Sequence, residues 1–477
     1  MSALYLNRYS FHDVKLEGRR VLFHIPSSGL FELDELGGSL IDFLKENEQI
    51  TLDGVQQRFD GQAASADITQ TLDSFRELSI IGDEPGMPDP GMKVEIRQFP
   101  ISTVVLNVNT GCNLSCTYCY KEDLAVPTKG VRMNFETARK SIELLLKEGA
   151  PNDRLNVIFF GGEPLSNLPL IKQTVEYTER RCAEEGKLVD FSMTTNATML
   201  TEDIVDYLDS HRFGISISMD GPQAVHDRRR ITVSGQGTYA VVAAKARMLL
   251  ERYRSKPVGV RVTLTAGYTD VQAIHEHLKY DLGFFEVGVA PATSGPVTVF
   301  NLSSDELREV FDGMMALGRD YRDAALEGRN NGFSNMHQLM SDLYEGRKKA
   351  LPCGAGVGLL AVDHDGDLNL CHRFTGSDMP RFGNVDDGIA KEALGSFLES
   401  ATSRVDKGCS TCRIRNLCAG GCYHESYAHF GDPLSPTYHY CDLMREWVDF
   451  GIEIYAEILQ KNPQFFKKHL STRSVQL

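Results

Sequence analysis

Ten of the eleven cysteines in this chain are gathered into two stretches: Cys112, Cys116 and Cys119 in one, and Cys353, Cys371, Cys409, Cys412, Cys418, Cys422 and Cys441 in the other. Only Cys182 stands alone. An odd cysteine count in a 477-residue chain that lacks a secretion signal argues against a disulfide framework. Closely spaced thiols of this kind bind a metal or a metal cluster, and the fold must bring them together around it.

Between the two groups the chain alternates. Apolar runs at residues 102–108, 155–160, 189–193, 214–219, 258–264 and 286–290 are separated by amphipathic stretches such as 135–147 and 239–252. Strands alternating with helices predict an α/β fold with a parallel sheet and right-handed crossovers. In such sheets the active face lies at the carboxyl ends of the strands. The residues just beyond those ends are 111–119, 161–164, 195–196 and 220–222.

Residues 1–95 read as a small α+β unit, with strands near 9–14 and 21–24 and helices near 33–47 and 66–78. Three prolines and two glycines within residues 83–91 mark its end. The α/β region then occupies 96–300, a helical connection 301–350, and a cysteine-rich part with little regular periodicity 351–477. Acidic residues outnumber basic ones by 65 to 50, a net charge of −15 that repels nucleic acid and anionic membrane surfaces. No run of eighteen apolar residues occurs, so a cytoplasmic protein with no nucleic-acid or membrane partner is expected.

Three thiolates at C-x3-C-x2-C spacing can hold one corner of a four-iron cluster and leave its fourth iron open. Zinc with a remote fourth ligand is the alternative, and the position directly after the first core strand favours the cluster. With Tyr118 before the last cysteine, the motif resembles that of the radical S-adenosylmethionine (SAM) enzymes. Further segments carry the resemblance: Gly161, Gly162, Glu163 and Pro164 after the second strand, Thr195 and Asn196 after the third, and Ser216 to Pro222 at the fourth. His226, Asp227 and Arg230, followed by Gly235, Gly237, Thr238 and Tyr239, resemble the peptide-modifying branch. The resemblance implies a partial (β/α)6 TIM-like barrel, with Gly161, Gly162 and Glu163 binding the SAM amino group. Ser218 and Arg230 would take its carboxylate or ribose, since a guanidinium grips a carboxylate with two bonds. Arg228 and Arg229 are expected on a solvated face, Cys182 in a helix behind the sheet, and Trp447 in helix packing.

The spacing of the last seven cysteines resembles the SPASM domain of peptide-modifying radical SAM enzymes. That resemblance implies two auxiliary clusters, and so three [4Fe-4S] clusters in all. Cys409, Cys412, Cys418 and Cys441 would complete one auxiliary cluster, and Cys353, Cys371 and Cys422 would hold the other. The latter is one cysteine short, which leaves an open iron or a ligand such as Asp363, Asp365, Asp367 or His372. The first 95 residues resemble the winged-helix-like peptide-recognition unit of such maturases, whose edge strand pairs with a leader peptide.

Segments beginning at Phe11, Gly18 and Phe31 look most like the maturases of quinohemoprotein amine dehydrogenase. This implies thioether cross-links from cysteine sulfur to Asp or Glu carbons in that enzyme's small subunit, with electrons from a flavodoxin- or ferredoxin-like donor. The anaerobic sulfatase-maturing oxidases are similar, but carry Asp as a base where this chain has His372, the candidate catalytic residue here. A non-catalytic electron carrier or leader-peptide binder is a third reading. The set of Cys112, Cys116, Cys119, Gly161 and Glu163 speaks against it, because a carrier has no use for a SAM site.

Overall fold

The computed structural model describes residues 3–16, 18–88, 99–119, 130–293, 298–402, 408–435 and 439–470. Its first unit pairs β1 (Ala3–Leu6) with β5 (Ile50–Thr51) and β6 (Ile81–Gly82), and β3 (Arg19–His24) with β2 (Phe11–Leu16) and β4 (Gly29–Leu33). Three helices, α1 (Glu35–Glu46), α2 (Leu52–Arg58) and α3 (Ser65–Glu77), complete it. Asp34 caps α1 by accepting from the Gly37 amide at 2.6 Å, satisfying one of the donors that a helix start leaves open. Both expected strands and both expected helices form. β1, β5 and β6 were illegible because strands of two to four residues are too short to display an alternating pattern.

Strand β3 faces two cores. Leu22 packs with Leu4, Leu40, Ile41 and Leu72 in a small local core, while Phe23 and Ile25 join the large central one. The N-terminal unit is thereby wedded to the rest of the chain. His12 Nε2 reaches Asp449 at 3.0 Å, and Asn416 Nδ2 donates to the Ile25 carbonyl at 2.6 Å. The boundary expected near residue 95 falls within 89–98, outside the described residues.

All six expected core strands are present: β7 (Thr103–Asn109), β8 (Arg154–Gly161), β9 (Leu188–Thr195), β10 (Gly214–Ser218), β11 (Val258–Leu264) and β12 (Glu286–Pro291). They pair in parallel in sequence order. Between them run α4 (Phe135–Glu148), α5 (Leu168–Glu184), α6 (Glu202–Ser210), the single turn α7 (Gln223–His226), α8 (Tyr239–Arg252) and α9 (Val271–Glu276). The apolar positions of α8, Val242, Ala243, Ala246 and Leu249, recur at helical spacing and are buried. Cys182 is buried in α5.

Beyond the barrel, α10 (Ser304–Leu326) opens on a capping box between Ser303 and Glu306 and packs with α15 (Cys441–Lys461), as does α11 (Ser334–Tyr344). Trp447 of α15 lies edge-on to Phe333 at 6.2 Å, the helix packing expected of it. The C-terminal part is more regular than its sequence indicated. It holds α12 (Lys391–Thr402), α13 (Arg415–Cys418), α14 (Tyr423–Phe430) and the 21-residue α15, followed by α16 (Gln464–His469). It also supplies β13 (Leu359–Val362), which pairs in parallel with β7, and β14 (Leu368–Asn369), extending the central sheet to eight strands. Four apolar residues between glycine and aspartate do not announce a strand when their partner lies some 250 residues earlier. Among the described residues no helix is long and apolar enough to cross a membrane.

Candidate radical SAM site

The cysteine loop leaves β7 through Asn109. The Asn109 side chain accepts from the Gly111 amide at 3.1 Å and donates to the Gly111 carbonyl at 2.9 Å and to Ser166 Oγ at 2.6 Å. This fixes the exit of the loop. The next stretch is laced to residues 229–232, with the Ser115 amide donating to Ile231 and the Thr117 amide to Arg229. On the other side, the Gly162 amide donates to the Asn109 carbonyl at 2.7 Å and the Glu163 amide to the Gly111 carbonyl at 3.1 Å. The two glycines are required for that approach. Gly161 has φ of 149°, and a Cβ on Gly162 would stand 1.9 Å from the Gly111 carbonyl oxygen.

Glu163 is 1% exposed. Its carboxylate accepts from Thr195 Oγ1 at 2.6 Å, the Asn196 amide at 2.9 Å and the Leu165 amide at 3.1 Å. Burial raises its pKa, and these three bonds oppose the rise. Asn196 Nδ2 reaches Cys112 Sγ at 3.7 Å and Asn113 Oδ1 at 2.9 Å, tying the end of β9 to the first cysteine.

Arg230 is 8% exposed, and its Nε donates to Asp220 Oδ2 at 3.0 Å. The same carboxylate oxygen accepts from the Tyr118 hydroxyl at 2.6 Å. The guanidinium lies over the Tyr118 ring, 5.4 Å from its centroid, and Nη1 contacts Cys116 Sγ at 3.9 Å. Behind Arg230, His226 Nε2 meets Thr238 Oγ1 at 3.0 Å, and that hydroxyl donates to the Arg230 carbonyl at 2.8 Å. His226 Nδ1 accepts from the Asp220 amide at 3.4 Å, which fixes the neutral Nε2–H form. Burial lowers its pKa to about 4, and the Arg230 charge adds to the effect. Asp227 Oδ1 accepts from the Tyr239 amide at 2.7 Å. The H-D-x-x-R and G-x-G-T-Y segments are therefore one brace that presents Arg230. Asp220 and His226 lie in the segments quoted from the sequence, but their part in holding Arg230 was not foreseen there.

Ser218 ends β10, two residues before Asp220. Arg228 is exposed and donates to the Gly267 and Ala266 carbonyls. Arg229 departs from the solvated face expected of it: its guanidinium stacks 4.8 Å over the Phe300 ring, itself buried.

The thiols lie in groups of neighbours. Cys112 is pushed up to about 12 by burial, opposed by the Leu114 amide at 3.4 Å and reinforced by Glu163, Cys116 and Cys119. Burial takes Cys116 up to about 11, against the Arg230 charge. Cys371 rises to about 12 through burial, with Cys422 and Cys353 as repelling neighbours. Cys418 rises to about 12 through burial, with Cys412, Cys441 and Cys409 around it. Among the described residues no three His, Cys, Asp or Glu side chains close on one point tightly enough for a single metal ion. Soft thiols suit an iron–sulfur cluster, where each thiolate takes its own iron. His372 stacks on Phe160 of β8, with ring centroids 4.2 Å apart, so the second cysteine set abuts the strand that carries Gly161.

Residues 106–280 match the family model of the radical SAM superfamily. The cysteine-type anaerobic sulfatase-maturating enzyme of Clostridium perfringens is 24% identical over 373 residues, covering 74% of this chain and 96% of the relative. The radical SAM cyclopropyl synthase TigE of Paramaledivibacter caminithermalis is 23% identical over 473 residues, covering 93% of this chain and 94% of its own. Among solved structures, native anSMEcpe with bound AdoMet and Cp18Cys peptide superposes with a TM-score of 0.60 at 20% identity, covering 77% of this chain and 98% of that one. The cysteine loop, the glycine pair that clasps it and the arginine brace all lie at the carboxyl ends of neighbouring parallel strands, and the central region of this chain is a radical SAM domain.

Proposed function

We propose that this protein is a radical SAM maturase that forms thioether cross-links between a cysteine sulfur and the side-chain carbon of an Asp or Glu in a ribosomally made peptide or subunit. The observation that carries the reading is the loop of Cys112, Cys116 and Cys119 clasped by Gly162, Glu163, Asn196 and Arg230, with two further groups of neighbouring thiols in the C-terminal part. The names of the relatives, a sulfatase-maturating enzyme and a cyclopropyl synthase, and the peptide and AdoMet bound to anSMEcpe support a peptide substrate and SAM.

In this reading Cys112, Cys116 and Cys119 hold the SAM-binding cluster. Cys409, Cys412, Cys418 and Cys441 hold one auxiliary cluster, and Cys353, Cys371 and Cys422 the other. The cofactor, once bound and reduced, supplies abstraction of a hydrogen atom from an unactivated carbon. The chain's own groups orient it. The Gly161–Glu163 turn and the end of β9 at Thr195 and Asn196 offer carbonyls and a carboxylate to an ammonium. Ser218 and Arg230 offer donors to a carboxylate or ribose, with Tyr118 and Asp220 holding the guanidinium in place. His372, seated against Phe160, is the group assigned to take the proton of the substrate thiol. The N-terminal unit captures the leader segment, and a flavodoxin- or ferredoxin-like protein delivers electrons.

A second reading, side-chain oxidation in the manner of the sulfatase-maturating enzymes, draws support from the Clostridium relative. Mass spectrometry separates the two. Reduced, reconstituted protein is incubated anaerobically with SAM and the small subunit of quinohemoprotein amine dehydrogenase. Thioether formation removes two hydrogens per cross-link and leaves the cysteine resistant to alkylation. A cysteine converted to an aldehyde, or a subunit left unchanged, would overturn the thioether assignment.

A further inference from the structure

On strands β10 to β12 every second residue enters the apolar core. Ile215, Ile217, Val258, Val260, Val262, Leu264, Val287 and Val289 are buried in the apolar core. The intervening positions point to the opposite side, and there the wall is made of hydroxyls and small residues: Ser216, Ser218, Thr263, Gly288 and Ala290. Arg261 interrupts this wall. It sits in β11, paired in parallel on both sides, yet is exposed, a setting in which both faces are ordinarily covered by apolar side chains.

The backbone has been shaped to admit it. Arg261 pairs in register with Gly288 of β12, and a Cβ at that glycine would lie 2.1 Å from Arg261 Nη1 and 3.1 Å from Cζ. The guanidinium therefore extends across β12 in the space a side chain would fill. Among the described residues it enters no ion pair and no side-chain hydrogen bond, in contrast to Arg230, which is anchored by Asp220 and Tyr118. Glu286, the acid of the same strand face, stands beside Gly259, two positions back from the guanidinium. On its other flank Arg261 is the register partner of Ser218, the position assigned to SAM, with neighbouring strands about 4.8 Å apart.

We infer that Arg261 is the seat for the carboxylate of the acidic substrate side chain, a role that rests on the thioether reading above. A guanidinium offers a carboxylate two parallel bonds and so fixes direction as well as position. Held there, the side chain lies with its methylene carbons one or two bonds from the anchored carboxylate and one strand away from Ser218. Arg261 is thus a positioning and specificity residue: it selects Asp or Glu over their amides.

The test is a cycle of two changes on the reconstituted holoenzyme. The small-subunit substrate is used with its target acid intact or replaced by the amide, against wild type, Arg261→Gln and Arg261→Lys. In wild type the amide substrate should lose roughly ten- to a hundredfold in kcat/KM. Arg261→Gln should lose about as much with the acid and then show no preference between the two. Arg261→Lys should retain part of the preference. A second readout needs no turnover: phenylglyoxal labelling of Arg261 in wild type, mapped by peptide mass, should be blocked by the acidic substrate and not by its amide. An undiminished acid preference in Arg261→Gln, or equal protection by both substrates, would overturn the seat. A product lacking a C–S bond while protection stays acid-specific would overturn the thioether reading and leave the seat standing.

Discussion

Arg230 and Asp220 form a buried pair, with side chains 9% and 5% exposed, at the centre of the brace behind the cysteine loop. Two charges removed from water are tolerable only while each has the other and further hydrogen bonds. Asp220 meets that condition by also accepting from Tyr118 and from the Thr263 amide at 3.1 Å. Asp220→Ala should therefore cost about 3–5 kcal/mol of stability, because the guanidinium would remain buried without its counter-charge. Urea unfolding of the metal-free protein reads that loss, and a change below about 1 kcal/mol would mean that Arg230 had found another partner or reached solvent. The glycines of the second motif have an equally local reason. Their contact with Asn109 and Gly111 shows a requirement the sequence did not reveal, clearance for two loops to touch.

At the scale of elements, one ion-pair group joins β2, β3 and α1. Asp13 accepts from Arg20 at 2.5 and 2.8 Å and from Lys45 at 2.5 Å, while Arg20 also reaches Asp42. Burial by itself would raise the Asp13 pKa, but the bonds from Arg20 and Lys45 outweigh it and bring the carboxyl down to about 2 from 3.8. A carboxyl with a depressed folded-state pKa stabilises fully above its unfolded value, and the contribution fades as pH falls through the folded one. The N-terminal unit should accordingly lose stability between about pH 4 and pH 2. Asp13→Asn should be less stable near neutrality and show a flatter acid limb, measured by denaturant titrations of the metal-free protein across that range. An unchanged acid limb would place the carboxyl outside this linkage.

For the molecule as a whole, the cysteine sets are distributed between the barrel and the C-terminal part, yet β13 makes both portions one sheet. The N-terminal unit is also built in, through Phe23 and Ile25 in the central core and Asn416 of α13. With three four-iron clusters, reconstituted protein should bind roughly twelve irons. Replacing Cys112, Cys116 and Cys119 together should remove about one third of the iron, and replacing Cys409, Cys412, Cys418 and Cys441 a different third. Iron analysis with absorption spectroscopy checks this, and stoichiometric zinc in place of iron would contradict the cluster assignment.

The sequence by itself determined the six core strands and the close spacing of Cys112, Cys116 and Cys119. Both are written locally, in alternating apolar runs and in spacings of a few residues. Gly161, Glu163 and Arg230 could be singled out for the same reason, as members of short segments next to strand ends. Tertiary structure alone decided that Arg229 stacks on Phe300 instead of meeting solvent, and that Leu359–Val362 joins β7. It alone brought His372 against Phe160, and left Arg261 exposed on the polar wall of the barrel with Gly288 making room for it. Each of these depends on partners far away in the chain. A side chain's chemistry there is set by what the fold places beside it, which no window of neighbouring residues records.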